Sequence, residues 1–300
     1  MGEVIRAREL KKSYGQLRAV DGVSFDVHAG EIFGILGPNG AGKTTTLEIV
    51  EGLREADSGE ITLLGQSPWP RNKALLPRIG VQLQASAFFE RLTAREQIHT
   101  FASLYGVGHR QADDWLERVG LADKAATRTE KLSGGQMQRL AIASALVHEP
   151  EVVFLDEPTA ALDPQARRNL WDLLRGLNDS GRTVVITTHY MDEAEVLCDR
   201  VAIVDKGRLL QLDTPAALVR GMGGSVQIHV DRGLLNLADA HEIGGAEAVE
   251  EDSSSIIIHT QEPSKMLSAL AERQALEGLQ VKGATLEDVF LSLTGREYRA

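Results

Sequence analysis

The chain has 300 residues, 43% hydrophobic and 25% charged, the balance of a folded protein with ample core. No stretch approaches the ~18–20 uninterrupted apolar residues of a membrane helix, and no apolar segment follows Met1–Arg6 as a signal peptide requires. A net charge of −11 argues against a nucleic-acid-binding surface, and a single cysteine, Cys198, permits no internal disulfide, so a cytoplasmic protein is expected.

Val4–Ala7 and Val23–Val27 alternate apolar and polar residues and read as paired strands, with turns at Tyr14-Gly15 and His28–Glu31. Glu31–Leu36 is a short apolar run, the pattern of a buried parallel strand. It leads into Gly37-Pro38-Asn39-Gly40-Ala41-Gly42-Lys43-Thr44, after which Thr44–Leu53 reads as a helix. Ile79–Gln84 is again strand-like. Thr93-Ala94-Arg95-Glu96 is a capping box that opens a helical stretch, and residues from about 85 to 150 read as a helical insert beside the sheet. Met137–Val147 reads as a helix, preceded by the turn residues Leu132–Gln136. Val152–Leu155 and Thr183–Thr187 return to apolar strands around a helix at about 164–178, followed by strands at Val201–Val204 and Arg208–Gln211. A boundary is expected at Gly221-Met222-Gly223-Gly224, so that 1–220 form one domain and 221–300 a small α+β appendage. In the appendage, Val226–Val230 and Ile256–His259 read as strands, about 264–275 as a helix, and Thr285–Asp288 as the cap of a last helix. With 13 Asp/Glu against 6 Lys/Arg, it carries −7 of the total charge.

The first Gly-rich loop is a phosphate binder. Its glycines let successive N–H groups turn toward phosphate oxygens, and the following helix adds its N-terminal dipole. Lys43 would reach the β- and γ-phosphates and the Thr44 hydroxyl would ligate Mg²⁺. Asp156, ending an apolar strand, would sit near that metal. Glu157, one residue on, points elsewhere and is the candidate to polarise an attacking water. Leu132-Ser133-Gly134-Gly135-Gln136 is then surplus. Ser133 and the helix N-terminal amides make a second anion site, yet one γ-phosphate already wrapped by the first loop has no need of it. Two-fold symmetry resolves this, with each chain's second loop covering its partner's nucleotide.

With that segment the sequence resembles the ATP-binding-cassette (ABC) ATPases, over about residues 1–220 and with every family motif in order. The resemblance implies an α/β P-loop fold with an antiparallel β subdomain and a helical insert, with ATP and Mg²⁺ as cofactors. It implies that Tyr14 stacks on adenine, that Gly37–Thr44 and Thr45 hold the phosphates, and that Ser133, Gly134, Gly135 and Gln136 serve the partner's nucleotide. Gln84 resembles the hinge glutamine at the metal and the attacking water, although Gln82 lies on the same face of an extended segment. Ala161-Leu162-Asp163 resembles the loop that crosses the dimer interface, with Ala161 where Ser is more usual. His189 resembles the switch histidine at the γ-phosphate. His28, His99, His109, His148 and Cys198 fit no such pattern.

Thr188–Glu195 and Ala284–Arg296 are similar to patterns in type-2 exporter ATPases, including the daunorubicin-resistance-like drug exporters, in which ATPase and permease are separate chains. The resemblance therefore implies a homodimeric export motor, peripheral on the inner face of the membrane through an integral-membrane permease. A soluble ABC protein without a permease would usually carry two cassettes or a basic tract, a non-catalytic regulatory subunit would have damaged motifs, and a small-molecule kinase would leave the second loop unexplained.

Overall fold

The computed structural model describes residues 2–83, 88–160, 162–222 and 226–295. One compact unit runs to Thr214 and a second begins at Pro215.

In the first unit, strands β1 (Glu3–Tyr14), β2 (Leu17–His28) and β3 (Ile32–Leu36) precede helix α1 (Lys43–Val50), and β4 (Ser58–Leu63) and β5 (Ile79–Gln82) follow it. Helices α2 (Ala94–Leu104), α3 (His109–Arg118) and α4 (Gly134–Leu146) come next. The unit closes with β6 (Val152–Asp156), α5 (Pro164–Asp179), β7 (Thr183–Thr188), α6 (Met191–Leu197), β8 (Arg200–Asp205) and β9 (Arg208–Asp213).

Two sheets result. One has six strands in the order β5-β6-β7-β3-β8-β9, all parallel except the antiparallel edge strand β9. Its inner strands β3, β6 and β7 are buried along their whole length, which is why they are apolar without alternation. The other sheet is antiparallel, β2-β1-β4. Here one face is buried and the other wet, so Ile5, Ala7 and Leu10 alternate with exposed residues. The buried faces share one core. Phe25 of the antiparallel sheet stacks on Phe33 of the parallel sheet at 5.3 Å, and α1 lies between them, touching β1, β2 and β4 on one side and β6 and β7 on the other. Helices α2, α3 and α4 form the expected helical layer, with α4 packed on β5 and β6.

The second unit comprises α7 (Pro215–Gly221), β10 (Val226–Asp231), α8 (Leu237–His241), β11 (Ala248–Glu251), β12 (Ser255–Thr260), α9 (Pro263–Glu272), β13 (Gln280–Gly283) and α10 (Leu286–Thr294). Its strands form an antiparallel sheet β11-β12-β10-β13 over a core of Ile228, Val230, Ile256, Ile258, Met266 and Leu270. Thr285 and Asp288 make a capping box at α10, as the sequence pattern predicts. Within the Gly-rich stretch expected to mark a boundary, Gly223 and Gly224 lie outside the described residues, and Gly221 is the last residue of α7.

Several elements have no sequence-based counterpart. β1 is three times the expected length, and β4, β11, β13 and α6–α8 are unanticipated. β13 is exposed throughout and β4 nearly so, and hydrophobic patterning marks only elements that bury a face. α4 begins at Gly134, three residues before the expected Met137. The Ser133/Gln136 capping box draws both glycines into the first helical turn.

Candidate nucleotide-binding and hydrolysis site

The loop between β3 and α1 is shaped for backbone to approach a ligand. Gly42 caps α1 in the left-handed region (φ 98°), and no side chain caps the helix. A Cβ on Gly42 would lie 2.1 Å from the Ala19 carbonyl oxygen, and one on Gly37 would lie 2.2 Å from that of Val204. The first amides of α1 thus have no side-chain acceptor, at the positive end of the helix dipole, which suits a phosphate chain. The Lys43 ammonium is 5% exposed and donates to the Gly37 carbonyl at 2.8 Å and to that of Pro38 at 3.3 Å. Its Nζ is 3.1 Å from Glu157 Oε1. Thr45 is half-buried beside Thr44 on the first turn of α1.

The two acidic residues that end β6 diverge. Asp156 turns toward α1 and β7, where Oδ1 accepts from Thr44 Oγ1 at 3.3 Å and from Thr187 Oγ1. Burial pushes its pKa up, and the Thr187 and Thr44 hydroxyls pull it back. Glu157 adopts φ 48°, an uncommon value for a residue with a Cβ. Its N–H donates to Thr187 Oγ1 at 2.9 Å and to the Thr187 carbonyl at 3.2 Å, which holds the turn. The carboxylate is thereby set between two cations or potential cations, with Oε1 at Lys43 and Oε2 3.2 Å from His189 Nδ1. His189 directly follows β7 and packs on the Tyr190 ring at 4.1 Å, and the Arg167 guanidinium lies 4.6 Å from the same ring.

The donors here are hydroxyl and carboxylate oxygens, which suit a hard cation. Among the described residues no cluster of three or more His, Cys, Asp or Glu could hold a metal alone. Mg²⁺ takes one or two protein oxygens and completes its shell with water and phosphate. Thr44 and Asp156 fit that role.

Other predicted residues lie at the edges of this cluster or apart from it. Tyr14, at the end of β1, is 42% exposed, and the Arg54 guanidinium sits 5.2 Å from its ring centre, held by Glu48 at 2.6 Å. Gln84 and Ala161 lie outside the described residues. Gln82 is described and buried, and its Nε2 donates to the Leu83 carbonyl at 2.6 Å and to that of Asp156 at 3.5 Å. Asp163 is the N-cap of α5, accepting from the N–H groups of Gln165 and Ala166. Ser133 and Gln136 bond each other in the capping box at the start of α4, and Ser133 and Gly134 are exposed. α4 is 13 residues long, about 20 Å. Its other end is fixed to β5 by His148 Nε2 at 2.9 Å from the Ile79 carbonyl. Ser133 is therefore presented at the end of α4 remote from this anchor. Cys198 is buried against Gly34.

Two further residues at the site, Thr187 and Glu193, have no role assigned by the sequence motifs. Thr187 is fully buried and bonds both acidic residues. Glu193 on α6 is also fully buried. It accepts from Trp171 Nε1 at 3.1 Å and has its pKa raised by burial, against the pull of Thr188, Trp171 and Thr159. It braces the turn that follows His189. A Thr inside an apolar strand, two residues before His189, is the available signal for Thr187.

A family model described as ABC transporter matches residues 20–160, and one described as AAA domain, putative AbiEii toxin, Type IV TA system, matches 130–191. The linearmycin resistance ATP-binding protein LnrL of Bacillus subtilis (strain 168) is 36% identical over 310 residues, covering 99% of this chain and 100% of that protein. The Nod factor export ATP-binding protein I of Burkholderia orbicola (strain AU 1054) is 40% identical over 295 residues, covering 97% and 96%. Among solved structures, an ATP-binding subunit of an ABC transporter aligns with a TM-score of 0.67 at 26% identity, over 73% of this chain and 93% of that one. A bacterial ABC transporter cassette solved as a dimer aligns with a TM-score of 0.66 at 28% identity, over 70% and 98%. The family resemblance and the α/β P-loop fold read from the sequence are borne out. The chain belongs to the ATP-binding, ATP-hydrolysing proteins of ABC transporters.

Proposed function

We propose that the chain is the motor of an exporter. Two copies would close face to face on two ATP molecules, and hydrolysis would reopen them. That movement would drive efflux through a separate integral-membrane permease. The names of the linearmycin-resistance and Nod-factor-export relatives, each aligned over nearly its whole length, support the export direction. No helix among the described residues is long and apolar enough to cross a membrane, which fits a peripheral subunit held on the inner face by its permease. The second unit would serve as an accessory domain.

The observation that carries the chemical reading is the divergence of Asp156 and Glu157. Asp156 faces Thr44, where the two would hold Mg²⁺. The cation would neutralise phosphate charge and keep Asp156 ionised despite its burial. Glu157, between Lys43 and His189, would orient water and take its proton. A γ-phosphate would compete with Glu157 for the Lys43 ammonium and so free the carboxylate for that task. His189 would contact the same phosphate, Gln84 would report on metal and water, and Tyr14 would stack on adenine. Ser133–Gln136 and Asp163 would act across the dimer. Capping leaves the Ser133 hydroxyl hydrogen available, since Oγ accepts from Gln136 N–H.

ATP turnover of Glu157→Gln tests the base. We expect a fall of about 10²–10⁴-fold, and turnover near that of the unmutated chain would refute the assignment. A monomer prevented from dimerising should not hydrolyse ATP at the full rate. Co-purification with an integral-membrane protein separates the exporter from a permease-free ABC protein.

A further inference from the structure

Arg54 lies in the loop after α1, and nothing in the proposed chemistry uses it. The loop is tied back to the helix at this point. The N–H groups of Leu53 and Arg54 donate to the Glu48 carbonyl at 2.9 Å and 3.1 Å, and Arg54 Nε donates to the Glu48 carboxylate at 2.6 Å. Backbone and side chain of Arg54 thus hang on one residue of α1. Lys43 and Glu48 are five residues apart on that helix, about 7.5 Å. The lysine at the phosphate loop and the anchor of Arg54 therefore belong to one rigid piece.

The same loop grips the strand that carries Tyr14. Asp57 accepts from Lys12 Nζ and from the Ser13 N–H, each at 2.7 Å, and its own N–H donates to the Lys11 carbonyl at 2.8 Å. β1 is therefore held in place right up to Tyr14. There the Arg54 guanidinium lies over the ring, with Cζ 5.2 Å from its centre. A guanidinium is planar and weakly hydrated and stacks on aromatic faces, which an ammonium does less well.

This contact has a consequence for binding. A ring at the exposed end of a strand must be ordered when a base stacks on it, and ordering a side chain on binding costs affinity. Here the ring is ordered before the ligand arrives. With one face taken by the guanidinium, a base is left the other, so Arg54, Tyr14 and adenine would stack in that order. We infer that Arg54, held by Glu48, is a positioning residue for the nucleotide base, and that it presets the Tyr14 ring as a platform at a fixed distance from the phosphate loop. The inference rests on the reading of Tyr14 as the residue that stacks on adenine.

The test measures equilibrium binding of two ligands to the purified full chain with Mg²⁺. One is a non-hydrolysable ATP analogue, and the other is inorganic tripolyphosphate, which offers phosphates without a base. Arg54→Met keeps an unbranched stem and removes the guanidinium. We expect the analogue to bind about 2–12-fold more weakly, the cost of ordering one side chain on binding, and tripolyphosphate to bind as before. In a Tyr14→Ala background, Arg54→Met should add nothing. Unchanged affinity of Arg54→Met for the analogue would overturn the inference. So would an equal loss for tripolyphosphate, since α1 and not the ring would then be disturbed, and so would a loss of the same size in the Tyr14→Ala background. Tyr14→Ala alone tests the platform itself, where stacking of the base should contribute about 5–150-fold. If Tyr14→Ala leaves the analogue's affinity unchanged, the reading of Tyr14 falls instead.

Discussion

Replacing Thr187 by valine tests the arrangement at its most buried point. Thr187 Oγ1 donates to Asp156 Oδ1 and accepts from the Glu157 N–H at 2.9 Å, so one hydroxyl positions both acidic residues. Valine keeps the β-branched shape that β7 favours and removes only the hydroxyl. Glu157 N–H keeps its 3.2 Å bond to the Thr187 carbonyl, so the main loss is the bond to Asp156. A hydrogen bond to a charged group contributes about 1.5–3 kcal/mol. At about 2–4 °C per kcal/mol for a domain of this size, the melting temperature should fall by about 3–12 °C. If the same interaction is needed in the transition state, turnover should fall about 10–150-fold. The pH profile separates positioning from mere instability. Burial already lifts the Asp156 pKa above 3.8, and Thr187 opposes that rise. The native state therefore holds a proton on Asp156 above pH 3.8, and stability falls as pH rises through the window up to the folded pKa. Valine extends that window upward, so Mg²⁺-dependent turnover should suffer more at about pH 6 than at about pH 8. A Thr187→Val enzyme with unchanged turnover and an unmoved acid limb would refute the positioning role.

Three further outcomes are expected. Gly42→Ala places a Cβ 2.1 Å from the Ala19 carbonyl at φ 98°, so equilibrium dialysis should find ATP affinity reduced at least tenfold, the left-handed backbone alone costing about 1–2 kcal/mol. Ser133→Ala removes the α4 cap, about 0.5–2 kcal/mol, and should lower turnover while leaving ATP binding by the monomer intact; equal loss of both would place Ser133 on its own chain's nucleotide. Burial raises the pKa of Glu51, which follows α1, above 4.5, so stability falls as pH rises past 4.5 toward the folded pKa and stays reduced above it. Calorimetry should therefore find Glu51→Gln close to the unmutated chain near pH 4.5 and more stable near pH 8, and a gap that does not widen with pH would contradict that sign.

The sequence by itself determined the parts whose chemistry is local. Gly37–Thr44 needs only a strand before it and a helix after it, and the glycines there are dictated by backbone close approach. The apolar runs of β3, β6 and β7 are legible because strands buried on both faces tolerate nothing else. The second Gly-rich loop, Leu132–Gln136, is legible as surplus because one γ-phosphate is already wrapped by Gly37–Thr44. Tertiary structure decided whatever depends on a residue's neighbours from other elements. Thr187 reads as a polar intruder in a strand until Asp156 and Glu157 are seen on either side of its hydroxyl. Exposed β4 and β13 carry no periodic signal because they bury almost nothing. Arg54 reads as one charge in a loop, and only the fold lays it over the Tyr14 ring. Burial, hydrogen-bond satisfaction and charge balance are properties of the packed chain, and they turn the residues of a motif into a site.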